Sequence, residues 1–106
     1  MNRLLILPVL LLTLLVGTPA FSADFQRGAA AYKSGDFATA LREWEPLAEQ
    51  EDAAAQYNLG LMHRQGLGVP QDDKTAVKWY RLAAEQGNAY AQQKLNQLTK
   101  PWWKFW

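Results

Sequence analysis

Ala76, Trp79, Tyr80, Ala83 and Ala84 stand at i, i+3, i+4, i+7 and i+8, the spacing that gathers apolar side chains into one stripe along a helix. Phe37, Ala40, Leu41, Trp44, Leu47 and Ala48 make the same stripe earlier in the chain. Ala55, Leu59 and Met62 begin a further one, which returns as Ala91, Leu95 and Leu98. Asp24, Asp36, Asp52, Asp72 and Asn88 each precede a helical run, where a short acceptor side chain satisfies an orphan N–H. Gly35, Gly66 and Gly87 follow one, where a positive φ is usually needed. The pattern predicts five helices, over residues 25–34, 37–50, 53–65, 73–86 and 89–99, and hence an all-α fold. Pro46 falls inside the second, and a kink is expected there because its ring clashes with the carbonyl of Arg42.

The stripes belong to a repeat. "ALREWEPLAEQEDAAAQYNL" (40–59) lies over "AVKWYRLAAEQGNAYAQQKL" (76–95) at a constant offset of 36, with Ala40, Ala48, Glu49, Gln50, Ala53, Ala55, Gln56 and Leu59 recurring identically. Each helix has one face to bury, and neighbouring repeats bury it. The turn after Gly66 carries five extra residues, "LGVPQ", relative to the tight turn "YKSGD" of the first hairpin.

The segment from Ala53 to Leu95 resembles a Sel1-like repeat, through Ala55, Leu59, Gly60, Gly66, Gly68, Val69, Asp72, Ala76, Trp79, Tyr80, Ala83, Ala84 and Gly87. The preceding hairpin is similar to the related tetratricopeptide type. His63 departs from the pattern, standing where the family usually has an aromatic, and reads as a substituted packing residue. The resemblance implies a short right-handed α-α superhelix of about five antiparallel helices. It also implies an adaptor that holds other proteins, with no universal substrate. Some exported members are cysteine-rich and credited with binding or cleaving β-lactams, but this chain has no cysteine.

The N-terminus adds an address. "MNRLLILPVLLLTLLVGTPAFSA" has a basic start at Arg3, an apolar run from Leu4 to Val16, then Gly17, Pro19 and small residues, the layout of a cleavable secretory signal. The apolar run is shorter than a bilayer-spanning helix requires. Residues 1–22 are expected to be removed, with a cut after Ala23 as the alternative, and the mature protein to be periplasmic or secreted. The domain division is thus a leader over 1–22, a helical repeat domain over 23–99 and an aromatic tail over 100–106.

Losing the leader removes Arg3, so ten Lys and Arg face ten Asp and Glu. A near-neutral chain offers no basic stripe for a phosphate backbone, and nucleic acid is an improbable partner. Candidate chemistry is sparse. One histidine and no cysteine supply neither a structural zinc site nor a triad, and no cofactor is called for. Thr75 and Lys78 have the spacing of a hydroxyl nucleophile and lysine base, a pair common on helix surfaces that here lacks companion motifs. It is the residual amidase or β-lactamase reading beside the preferred non-catalytic one. Asp72 and Asp73 read as a cap and a first-turn acid, and Trp44, Trp79, Tyr80 and Tyr32, in repeat register, as core.

Partner-binding candidates fall in two places. The face carried by the first helix of each pair, concave in the resembled family, presents Gln56, Tyr57, Asn58, Arg64, Gln92, Gln93 and Asn96, which suit polar grip of a peptide backbone. The tail "KPWWKFW" concentrates Trp102, Trp103, Phe105 and Trp106 just after Pro101. Burying these four is worth about 1.5 to 3 kcal/mol each, against about 1 to 2 kcal/mol of backbone entropy per ordered residue. The sums nearly cancel, and three readings stay open: a cap on the chain's own last helix, a contact with a partner or a second copy, and a membrane-surface contact aided by Lys100 and Lys104.

Overall fold

A computed structural model describes residues 22–100. The leader, apart from Ser22, and the tail aromatics lie outside the described residues. Five helices follow one another: α1 (Phe25–Lys33), α2 (Phe37–Glu49), α3 (Ala53–Gln65), α4 (Asp73–Glu85) and α5 (Ala89–Thr99). All five expected helices are present. Three end one residue early, with Ser34, Gln50 and Gln86 as C-caps.

Every expected N-cap is made. Asp24 accepts from the amides of Gln26 and Arg27, Asp36 from Thr39, Asp52 from Ala55, Asp72 from Lys74 and Thr75, and Asn88 from Ala91. These bonds satisfy donors that the first helical turn leaves open. Gly35, Gly66 and Gly87 take positive φ as expected, and Glu51 takes φ 69 at the end of α2. Glu51 stands 36 residues before Gly87, so the repeat demands the left-handed turn there although the residue is not glycine. Helix α2 runs through Pro46, whose carbonyl accepts from the Gln50 amide.

Consecutive helices pack against one another, and the contacts make them antiparallel. Trp44 near the end of α2 bonds Phe25 at the start of α1. Arg64 at the end of α3 pairs with Asp73 at the start of α4, and Gln56 at the start of α3 meets Gln86 after α4. The apolar interior forms two clusters. One gathers Ala31, Ala40, Trp44, Ala48, Ala55, Leu59 and Met62 from α1, α2 and α3. The other gathers Ala76, Tyr80, Ala83 and Ala91 from α4 and α5, with Tyr57 and Leu61 of α3 against it. Alanine at most crossing positions lets the backbones approach closely, and each cluster is filled by one large aromatic.

Both aromatics need glycine opposite them. A Cβ at Gly28 would lie 2.5 Å from Trp44 Nε1, and one at Gly60 would lie 2.5 Å from Tyr80 Cε1. The long turn between α3 and α4 folds back onto the first cluster through Leu67. It is held by bonds from the Leu67 amide to the Met62 carbonyl, from the Asp72 amide to the His63 carbonyl and from the Gln71 side chain to the Arg64 carbonyl.

Candidate functional site

Where α2 ends and the next repeat begins, the chain builds a junction around one amide. Gln56 was expected to reach into solvent as a partner contact, and the structure corrects this, since only 2% of it is exposed. Its Nε2 donates to the Ala48 carbonyl and its Oε1 accepts from Gln86 Nε2. The amide therefore ties the ends of α2 and α4 to the start of α3. At offset 36, Gln92 on α5 has no following hairpin to brace among the described residues and is exposed, donating instead to Asn96 one turn on.

Beside that junction lies a groove of about 400 Å³ lined by Ala48, Glu49, Glu51, Gln56, Trp79, Leu82, Glu85 and Gln86. Leu82 is 41% exposed, and Trp79, expected in the core, packs against the first apolar cluster from its edge and stays half-buried. The reason is its register. In the previous repeat the same position holds Glu43, which faces α1, whereas Trp79 faces the groove between the two repeats. Three carboxylates of Glu49, Glu51 and Glu85 border the apolar residues, an arrangement suited to an apolar side chain carried next to a basic one.

The remaining candidates separate. Tyr57 is half-buried, with its ring 5.8 Å from that of Tyr80 and 6.1 Å from that of Tyr90, and burial raises its phenol pKa. Asn58 is half-buried, while Gln93 and Asn96 are exposed on α5. Arg64 holds Asp73 at 3.5 Å with 43% of its side chain exposed. Trp102, Trp103, Phe105 and Trp106 lie outside the described residues. Thr75 Oγ1 donates to Asp72 Oδ2 at 2.7 Å, which makes the hydroxyl part of a helix cap, and Lys78 is exposed. That bond and the backbone amides of Thr75 and Lys74 hold the Asp72 carboxyl below its usual pKa.

Two features escaped the sequence. Glu43 is fully buried, accepting from the Asp24 amide at 2.9 Å and from Arg27 Nη1 at 3.0 Å. Burial raises its pKa, but the Arg27 and Asp24 hydrogen bonds and the Arg27 charge outweigh it and leave the carboxyl lowered. An acid at the repeat position of Trp79 was the available signal. The second is the Tyr80 hydroxyl, buried without a hydrogen-bond partner, which its apolar stripe concealed.

Comparison with known proteins agrees with this geometry. The Sel1 repeat model matches residues 53–88, that is, α3, the long turn, α4 and the turn into α5. A putative sel1-like repeat-containing protein of Acanthamoeba polyphaga mimivirus is 36% identical over 59 residues, covering 52% of this chain and 11% of that protein. A second from the same virus is 40% identical over 43 residues, 41% of this chain and 7% of the relative. Chitin synthase regulatory factor 3 of Schizosaccharomyces pombe is 44% identical over 45 residues, 42% of this chain and 5% of the relative. The chain thus spans between 5% and 11% of the length of these curated relatives. No solved structure matches.

Proposed function

We propose that this chain is a small exported interaction module without catalysis of its own, built around one Sel1 repeat and acting by holding another protein. The observation that carries the reading is the groove between the two repeats, where Leu82 and Trp79 stay accessible inside a rim of three glutamates. An isolated exposed leucine is ordinary, but one set beside a large aromatic in a concave site is the usual form of a binding anchor. Sel1 repeats generally serve protein–protein interaction, and the name of the Schizosaccharomyces pombe relative, a regulatory factor, is in keeping with that. Export rests on the three-part N-terminus, and on this reading the partner is met in the periplasm or outside the cell.

A photo-crosslinking residue at position 82 in the full chain, expressed in its own cell, tests the module. A discrete adduct that disappears when Trp79 is changed to Ala supports it; labelling no different from a position on the solvent face of α5 sinks it. A second reading has the tail rest on the membrane surface, supported by the alternation of Lys100 and Lys104 with Trp102, Trp103, Phe105 and Trp106. No described helix is long and apolar enough to cross a membrane, so this contact would be peripheral. Flotation of the mature chain with anionic liposomes at low and high salt separates the two, since the interaction module alone predicts that it stays behind.

A further inference from the structure

The groove beside Gln56 takes its walls from the end of α2, the start of α3 and the second half of α4. Trp79 and Leu82 give it an apolar floor that stays accessible. Glu49, Glu51 and Glu85 stand exposed around that floor, and none of them forms an ion pair with a described residue. Like charges gathered at a cleft repel one another and draw in a cation. The occupant that fits is therefore a set of apolar rings with a base among them and no acid.

The chain itself carries such a segment. Residues 101–106, outside the described residues, read Pro-Trp-Trp-Lys-Phe-Trp, with Lys104 among four large rings. The other basic and aromatic stretch, Lys78 to Arg81, is already folded into α4. The tail reaches its own groove with little more than its last ring. Leu98, near the end of α5, lines a pocket with Asp73, Lys74 and Val77 at the start of α4, so the chain leaves the fold at that end. Leu82 lies about 14 Å further along α4 than Asp73, at about 1.5 Å per residue, and points about 140° away from Val77. The path around α4 is about 20 Å, which is the full reach of six extended residues. The pocket at Leu98 is a nearer seat, but its charges are balanced by Asp73 and Lys74, and Asp73 already pairs with Arg64.

We infer that the groove holds the aromatic tail of a second copy of this chain, with rings from residues 102–106 on Trp79 and Leu82 and with Lys104 among Glu49, Glu51 and Glu85. The inference rests on the reading of the groove as a protein-binding site and names its occupant. The two surfaces differ, so the contact runs head to tail, and each copy offers both halves. A short segment in a space of about 400 Å³ buries far less than a standard interface of about 1,600 Å², so dilution releases it. Occupancy covers Trp79 and Leu82, so self-association and capture of a foreign partner compete for one site.

The test is sedimentation, over a concentration series, of the protein purified after expression of its full chain. The wild type is expected to associate as concentration rises. Glu85→Lys sets a base of the groove against the base of the tail, and Lys104→Glu sets an acid of the tail against the acids of the groove. Each alone should weaken association about three- to tenfold, the scale of one exposed charge pair turned from attraction to repulsion. Glu85 is exposed, so its reversal should leave the melting temperature unchanged. An equimolar mixture of the two variants should recover wild-type association, because each supplies the half that the other has lost. A tail seated on its own chain gives no recovery on mixing. A mixture no more associated than its components overturns the inference, and so does a wild type that stays monomeric; if that monomer floats with anionic liposomes, the tail belongs to the lipid surface. A crosslink from position 82 to a different protein, with the wild type monomeric, would keep the interaction module and sink the tail contact alone. Recovered association with no crosslink from position 82 in the cell would sink the module and leave the tail contact standing.

Discussion

Trp44 and Tyr80 occupy the same position in successive repeats, 36 residues apart, each crossing a glycine on the preceding helix. Their polar atoms fare differently. Trp44 Nε1 donates to the Phe25 carbonyl at 3.1 Å, whereas the Tyr80 hydroxyl is buried with no hydrogen-bond partner among the described residues. The neighbouring positions diverge in the same sense. Glu43 is buried and bonded to Asp24 and Arg27, while Trp79 opens toward a groove. The first hairpin spends its polar groups on itself; the second, which matches the Sel1 repeat, leaves an apolar groove open and one buried hydroxyl unpaired. The lesson is that two copies of one packing plan differ in how far their side chains satisfy one another.

The largest effect should come from closing the glycine crossings. Gly28→Ala drives a methyl into Trp44 Nε1, so it adds an overpacking cost of about 1 to 3 kcal/mol to the loss of a bond worth about 1 kcal/mol. Gly60→Ala meets the Tyr80 ring but breaks no hydrogen bond. Both gain about 1 kcal/mol of helix propensity. In urea unfolding, Gly28→Ala is expected to lose about 1 to 3 kcal/mol and Gly60→Ala about 1 kcal/mol less. Equal losses would mean that the Trp44 bond does not distinguish the hairpins.

Removing the polar atom from each aromatic should give opposite signs. Trp44→Phe removes the Nε1 bond to the Phe25 carbonyl and leaves a void behind it, and is expected to destabilise by about 1 to 3 kcal/mol. Tyr80→Phe removes a group whose burial is uncompensated and is expected to stabilise by about 1 kcal/mol. Thermal melts of the two variants side by side decide the matter. A destabilised Tyr80→Phe would show that the hydroxyl is satisfied in solution and would erase the contrast.

The features common to both hairpins were legible in the sequence, and those that separate them were less so. Helical period, five Asp or Asn caps and the offset of 36 placed all five helices to within a residue, because each signal acts over a single turn or is written twice. Gln56 was misplaced for the opposite reason. Its burial depends on Ala48 and Gln86 arriving from two other helices, and its identical copy Gln92 is exposed because α5 has no further hairpin beyond it among the described residues. Trp79 illustrates the same limit. Periodicity puts it on the apolar stripe, yet at the stripe's edge the neighbouring repeat decides whether it is core or groove.

Acid should expose a smaller difference. Asp36 and Asp72 are both lowered, first by the Thr39 and Thr75 side chains at matching positions, so their contributions recur in both hairpins. Glu43 has no counterpart. Its folded pKa lies below the unfolded value of about 4.3, so the stability it adds is present above that pH and is lost as pH falls through the folded value. Since 54% of the Arg27 side chain is exposed, solvent screens the pair and moderates the effect. Glu43→Gln is expected to be less stable at pH 7 and to show a flatter loss below about pH 4.3, followed by fluorescence melts across pH 2.5–7. An unchanged acid limb would remove Glu43 from the contrast.

The smallest effect concerns the two repeat ends. Glu51 and Gly87 occupy the same turn position, and Glu51 takes φ 69 at a cost for an L-residue of about 1 kcal/mol or more. Glu51→Gly relieves that strain but adds unfolded-chain freedom worth about 0.5 to 1 kcal/mol. The net gain is expected to be at most about 0.5 kcal/mol in urea unfolding, and Gly87→Glu should lose a comparable or larger amount. A strained residue persists where something besides stability retains it, and Glu51 is one of three carboxylates lining the groove with Trp79 and Leu82. The informative outcome is therefore paired: Glu51→Gly should hold or raise stability while weakening capture of a basic partner at position 82. If both stability and capture are unchanged, the strain has no functional cause and the groove's acidic rim reduces to Glu49 and Glu85.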